Sequence, residues 1–396
     1  MKWQRENRND SGFSIPDTWL WIHYYDALSA LFRIENSLRT FVFLVLKTNV
    51  GESWLELSIA SDDGSNTTIG ALAKKRIVQD ETFGYLGYNI NSPLMHLTSG
   101  ELVGLITAEP YWAYFKEYFR AAKRVVTLKL QEIGNIRNSL AHFRPIKPDD
   151  VEVVKQNATQ VLSGIENALM EALRCSERVP TNTIDEWYKE LGTLGSEYCQ
   201  FLFHQSVNRN WIKITLEFRS KAVVEPQEIR APSVYFEVLT LDTPQIINMF
   251  DEIKAHLTIL TEDRHNPSWI AKPCLSYGKN LHFTFAAKVL AENYSSLKSG
   301  YEKLLLKIAQ EAELIKADHL ARGEIVRLVQ MRADQNKTPS DRVYWRYDLM
   351  KLARPVQPDD PPEYWGTFYS PDNDMITSTE NFPWMPVAIC EIEVPF

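Results

Sequence analysis

Cysteine is scarce: Cys175, Cys199, Cys274 and Cys390 are scattered, with no C-x-x-C spacing. That excludes a disulfide framework and a thiolate zinc site, and it fits reduced thiols in a cytoplasm. Long apolar runs are missing. The longest, Phe41-Val42-Phe43-Leu44-Val45-Leu46, has six residues, against about 18 for a membrane span, so no transmembrane helix is expected. No apolar stretch follows Lys2 and Arg5, so no secretory signal is expected either. There is no glycine-rich phosphate loop, no G-x-S-x-G and no H-E-x-x-H, which removes the phosphate-loop, serine-elbow and zinc-protease chemistries. Positive charge is in deficit: the net charge is −8, which taken alone speaks against a general nucleic-acid binder.

What is present is enough for packed cores. Of the 396 residues, 44% are hydrophobic and 12% aromatic, which argues for packed globular cores rather than disorder, and the length suits two domains or three. The charge is also uneven. Between Tyr111 and Lys147 the basic residues Lys116, Arg120, Lys123, Arg124, Lys129, Arg137, Arg144 and Lys147 face only Glu117 and Glu132. A basic patch in an acidic protein suits a polyanionic partner; a solvated helix face is the plainer alternative.

The first 175 residues read as helical. Residues 17–48 carry apolar positions at helical spacing, with Asp17 as a candidate cap and Gly51 just past the end. On this helix Glu35 and Arg39 stand four apart, within pairing distance. Residues 61–68 read as a loop, and residues 83–93 as a second irregular stretch. Thr98-Ser99-Gly100-Glu101 is a capping box opening a helix over 102–107. Pro110 opens the next, and the aromatics Tyr111, Trp112, Tyr114, Phe115, Tyr118 and Phe119 are weighed as core rather than as base-stacking surfaces. The pattern continues this helix to Leu140. Pro148-Asp149-Asp150 starts another, with Asp149 a candidate cap and apolar residues from Val151 to Leu173 on one face.

Between these helices lies Ile136-Arg137-Asn138-Ser139-Leu140-Ala141-His142-Phe143-Arg144-Pro145. Arginine is a permanent fork of donors suited to phosphate. Histidine gives and takes protons near neutral pH. Together they suffice for phosphodiester chemistry without a metal. In a straight helix Arg137 and His142 diverge by roughly 140°, so they converge only where the helix ends, which Pro145 encourages, or where a second subunit supplies a facing set.

A helical domain with Arg137-Asn138-x-x-x-His142, then a loop and an amphipathic helix, resembles the HEPN superfamily. It is most similar to the branch found in abortive-infection and toxin ribonucleases of prokaryotes. The signature of that family is an arginine, a polar residue just after it and a histidine four to six residues beyond. Arg137 and His142 are the chain's only Arg-to-His pair in that window. The resemblance covers roughly residues 17–175; Glu35, Arg39 and residues 83–107 look like the upstream part of such domains. It implies a ribonuclease that needs no metal or other cofactor, with Arg137, Asn138 and His142 catalytic and Glu35 and Arg39 supporting. The RNA would lie along Lys116, Arg120, Lys123, Arg124, Lys129, Arg144 and Lys147. It further implies a homodimer through the helical domain and anti-phage defence in the cytoplasm. The competing reading is a non-catalytic dimeric interaction or RNA-binding module, in which His142 merely caps a helix end.

The second half resembles no family. Thr183-Ile184-Asp185-Glu186 caps a helix to about Phe203. Alternation predicts strands at 211–219, 234–241 and 281–287. Thr243-Pro244 starts a helix, with Thr243 as cap. Residues 288–333 read as two helical pieces broken near Gly300, and short strands are expected at 364–369 and 387–394. Glu262, Asp263, His265 and His282 lack metal-ligand spacing. The expected architecture is α+β overall: an all-α bundle over residues 1–178, then an α+β sensor, regulatory or recruitment domain over 179–396, where a phage-derived or cellular trigger would act.

Overall fold

The computed structural model describes residues 7–9, 12–14, 24–60, 66–82, 92–142, 144–223, 232–265, 275–318, 322–337, 343–348 and 360–367. The chain is a mixed α+β protein that divides into two units. The described residues up to Thr82 and from Pro93 to Met170 form the first, and those from Glu171 to Thr367 the second.

The first unit contains β1 (Asn7–Asn9), β2 (Gly12–Ser14), α1 (Tyr24–Val50), β3 (Ser58–Ala60), β4 (Asn66–Thr68), α2 (Ile69–Thr82), α3 (Ser99–Thr107), α4 (Glu109–Phe115), α5 (Lys123–Ala141), α6 (Pro148–Val161) and the first turns of α7 (Ser163–Arg174). Where the pattern predicts an all-α bundle, two antiparallel ladders, β1–β2 and β3–β4, accompany the helices. The second takes in the described end of the predicted 61–68 loop. Asp17 lies outside the described residues, as does nearly all of the irregular stretch 83–93.

α1 is the axis of this unit. Ala27, Leu31, Ile34 and Leu38 form a buried stripe, and from Phe41 to Leu46 every side chain is buried, as a helix surrounded by others requires. Gly51 ends it in the left-handed region, at φ +61°, a conformation glycine adopts without steric cost. The aromatics after Pro110 pack on α1: Phe115, Tyr118 and Phe119 lie 5.7, 5.1 and 6.2 Å from the Phe41 ring.

That packing breaks the helix expected from Pro110 to Leu140. α4 stops at Phe115, a 3-10 turn spans Lys116–Tyr118, and α5 begins only at Lys123. The turn swings Tyr118 and Phe119 back onto Phe41. The next helix is also split, at Leu162, between α6 and α7. There Gly164 lies so close to the Tyr118 carbonyl that a Cβ would stand 1.8 Å from its oxygen. Asp149 is not the cap of α6. Lys147 holds that position, and its backbone N–H donates to the Asp150 carboxylate at 2.7 Å.

The second unit adds β5 (Glu177–Arg178), α8 (Glu186–Leu191), β6 (Cys199–Gln205), β7 (Trp211–Lys221), β8 (Ser233–Leu241), α9 (Thr243–Met249), α10 (Asp251–Lys254), β9 (Ile259–His265), β10 (Ser276–Ala286), α11 (Ala287–Asp318), β11 (Val326–Lys337), β12 (Val343–Asp348) and β13 (Tyr364–Thr367). A six-stranded sheet runs β13-β9-β10-β7-β6-β5, and a three-stranded sheet runs β12-β11-β8. Ile214, Leu216, Phe218, Leu281, Phe283 and Phe285 turn one face of the larger sheet into a core with Leu297, Tyr301, Leu304 and Ile308 of α11.

Several expectations need correcting here. The helix expected from Thr183 to about Phe203 has Asp185 at its cap position without a side-chain cap bond and ends at Leu191; residues 199–205 form β6, whose Cys199, Phe201 and Phe203 pair with Phe218, Leu216 and Ile214. α9 has Asp242 at the cap position, with Thr243 as its first residue. α11 runs through Gly300, which is buried against Ile253, and departs from helical geometry at Asn293 instead. It stops at Asp318, and residues 326–337 are β11. The strand expected at 387–394 lies outside the described residues. Cys175 and Cys199 are free, buried thiols. No helix among the described residues is long and apolar enough to cross a membrane.

Candidate active site

α1, α3 and α5 meet around one carboxylate. The capping box of α3 forms as its spacing predicts: Glu101 N–H donates to Thr98 Oγ1 at 3.2 Å, and Thr98 N–H to Glu101 Oε2 at 2.9 Å. Glu101 also receives both terminal nitrogens of Arg76, at 2.6 and 2.7 Å. With its start fixed in this way, α3 presents Ser99 to α1. The Ser99 hydroxyl donates to Glu35 Oε2 at 2.7 Å, and Arg137 Nε of α5 donates to the same oxygen at 3.2 Å. The other oxygen, Oε1, accepts from Arg39.

Arg39 is the structural member of this set. Its remaining donors reach Leu94 O and Leu97 O, both at 3.1 Å, and Asn36 Oδ1 at 3.2 Å. Burial lowers its pKa, with Arg137 adding to the effect and Glu35 opposing it; an arginine so placed keeps its charge. Arg137 is the accessible member, 38% exposed against 13% for Glu35. With Nε spent on Glu35, the two terminal nitrogens are the part of the fork left to grip a phosphate. One of them lies 3.5 Å from Asn138 Oδ1, at the limit of a hydrogen bond. An apolar groove of about 390 Å³ between α1 and α5 ends at Glu35 and Arg137.

Glu35, Arg39 and Arg137 are thus brought together; His142 is not. α5 closes at Ala141, and His142 caps it at φ −98°, ψ 15°, its N–H donating to Asn138 O. Its side chain is exposed, makes no hydrogen bond among the described residues and does not line the groove that Arg137 closes. Asn138 lines a different, smaller hollow, together with Thr107 and Gln131. Within one chain the histidine therefore stands outside the groove that the arginine lines.

The basic residues divide by what they hold. Lys123 pairs with Glu109. Lys129 pairs with Glu132 at 3.1 Å. Asn157 donates to the same Glu132 oxygen at 2.7 Å, and these bonds, Asn157's first, hold that carboxyl below its ordinary range. Lys116, Arg120, Arg124, Arg144 and Lys147 are exposed and carry no ion pair among the described residues, so their charge is open to an anion.

In the second unit, Asp263 accepts from His282 at 2.7 Å and from Asn280 at 2.8 Å. Glu262 takes Lys279 at 2.8 Å and the Thr243 hydroxyl. Their partners are protein groups, and they do not converge as a ligand set; no grouping of three or more metal-binding side chains occurs among the described residues. The residue that sequence reasoning misses is Ser99. Its place at the start of α3 follows from the capping box, but its contact with a residue 64 positions away does not. No protein-family model, curated protein or solved structure matches this chain.

Proposed function

We propose that the protein is a metal-independent endoribonuclease of the HEPN type, acting as a toxin-like effector of anti-phage abortive infection in the cytoplasm. The observation that carries this reading is the tethered Arg137. Its Nε is fixed on Glu35 while the side chain as a whole stays partly exposed, five residues before an exposed histidine at the end of the same helix.

In this scheme the 2′-hydroxyl of RNA attacks the adjacent phosphorus. His142 removes the hydroxyl proton or delivers one to the departing 5′-oxygen. Arg137 stabilises the charge gathering on the non-bridging oxygens, and Asn138 holds the phosphate. The products are a 2′,3′-cyclic phosphate and a 5′-hydroxyl, and DNA, which lacks the attacking group, is not cut. Because Arg137 and His142 diverge in one chain, two copies facing each other complete the site, so the active form is a homodimer through the helical unit. Lys116, Arg120, Arg124, Arg144 and Lys147 supply charge for the RNA backbone. The second unit senses a trigger, restrains the nuclease or recruits its substrate.

The exposed His142 side chain, without a hydrogen-bond partner among the described residues, also favours a second reading, a dimeric or RNA-binding module without catalysis. Incubating the purified full-length protein with mixed RNAs in excess EDTA separates the two. Cleavage to cyclic-phosphate ends, abolished in His142→Ala, supports the nuclease. Intact RNA, or equal cleavage by the variant, rejects it.

A further inference from the structure

The groove between α1 and α5 is more than a gap beside Arg137. Leu28 and Phe32 stand four residues apart on α1 and are 49% and 41% exposed, unusual for large apolar side chains on neighbouring turns. Leu140 forms the opposite wall, and Glu35 with Arg137 closes the polar end. The space, about 390 Å³, lies in the range of small-ligand pockets. It combines an aromatic ring and aliphatic walls with a carboxylate and a guanidinium at one end. A nucleobase has the matching character: apolar faces and a hydrogen-bonding rim, joined to a phosphate.

We propose that this groove holds one base of single-stranded RNA, stacked on Phe32, beside the phosphate gripped by Arg137. The assignment rests on the ribonuclease reading and adds where the substrate is read. Base stacking on an aromatic tolerates any sequence but demands a base. A second copy of the chain is the weaker occupant. Two half-exposed side chains offer far less than the roughly 800 Å² per partner of a stable protein contact, and the charged end of the groove would be costly to bury against an apolar surface.

The test uses full-length protein carrying His142→Ala, so that RNA is bound without being cut. Fluorescence anisotropy compares a short single-stranded RNA of mixed sequence with an abasic ribose-phosphate strand of equal length. The base-bearing strand should bind about tenfold tighter or more. Adding Phe32→Ala should erase that difference, and Phe32→Trp should restore it. Equal affinity for the two strands overturns the base pocket while leaving RNA binding intact. Failure to bind either strand overturns the ribonuclease reading and the pocket with it. Loss of dimer mass by light scattering in Phe32→Ala makes the groove a chain-to-chain contact and also overturns the proposal.

Discussion

Glu35 answers two guanidinium groups and a hydroxyl with a single carboxylate, so its charge matters more than its size. Glu35→Gln keeps the shape but leaves Arg39 in the interior without a counter-charge. A loss of about 2–3 kcal/mol in stability is expected, read from the denaturant midpoint. The carbonyls of Leu94 and Leu97 cushion that loss. RNA cleavage should fall by roughly two orders of magnitude as Arg137 loses its tether; an unchanged rate would mean that Arg137 needs no positioning. A second residue carries a pH signature. His204 on β6 faces Lys213 of β7 and Arg178 of β5 across the sheet, and its Nδ1 has no hydrogen-bond partner among the described residues. Burial first, then Lys213, Arg178 and His282, lower its pKa from 6.5 to about 4. The unfolded chain therefore takes up this proton more readily than the folded one. Stability should fall as pH drops from 6.5 to about 4 and be unaffected by this group above that window. His204→Gln should flatten that limb in urea titrations at stepped pH, and identical limbs in both proteins would exclude the residue as its cause.

At the scale of elements, Gly164 shows how close packing divides a helix. A Cβ there would meet the Tyr118 carbonyl, so Gly164→Ala must push α7 away from the turn that carries Tyr118. The expected cost is about 1–3 kcal/mol, visible as a lower unfolding midpoint; a neutral result would mean that the turn gives way freely. The same junction explains what the sequence makes legible. Capping is local, so Thr98 and Glu101 announce the start of α3. Strict alternation announces β7, where Ile212, Ile214, Leu216 and Phe218 all turn to the core. The breaks at Phe115 and Leu162 are not local: the first depends on Phe41, more than 70 positions upstream, and the second on Tyr118. β6 hides because Leu202 interrupts the polar side of its alternation, and the helical pattern from Glu186 invites an extension through it. β11 hides because its residues extend the amphipathic run of α11. In the candidate site, Arg137, Glu35 and Arg39 stand out by residue type and spacing. The separation of His142 from Arg137 already follows from their spacing on one helix, whereas the contact of Ser99 with Glu35 arises only when α1 and α3 assemble.

For the whole molecule, the residues assigned to RNA cleavage all lie before Glu171, in the first unit. If the second unit restrains them, residues 1–178 expressed alone should be more toxic to a bacterial host than the full chain. The His142→Ala form of that fragment should be harmless. A soluble fragment no more toxic than the whole would assign the second unit to substrate recruitment instead. The buried thiols of that unit have a separate consequence: they are a stopwatch for its breathing. Burial pushes the Cys175 and Cys199 thiols up to about 12, so neither offers a thiolate to an alkylating reagent while its surroundings stay closed. Cys175 follows the last turn of α7, its Sγ donating to Glu171 O and Ala172 O, and fraying of that turn uncovers it. Cys199 is paired within the sheet opposite Phe218 and waits for the strands to part. With Cys274 and Cys390 replaced by serine, iodoacetamide should therefore mark Cys175 well before Cys199, the interval measuring how far the helix end opens independently of the sheet. Simultaneous labelling would mean that the unit opens only as one piece.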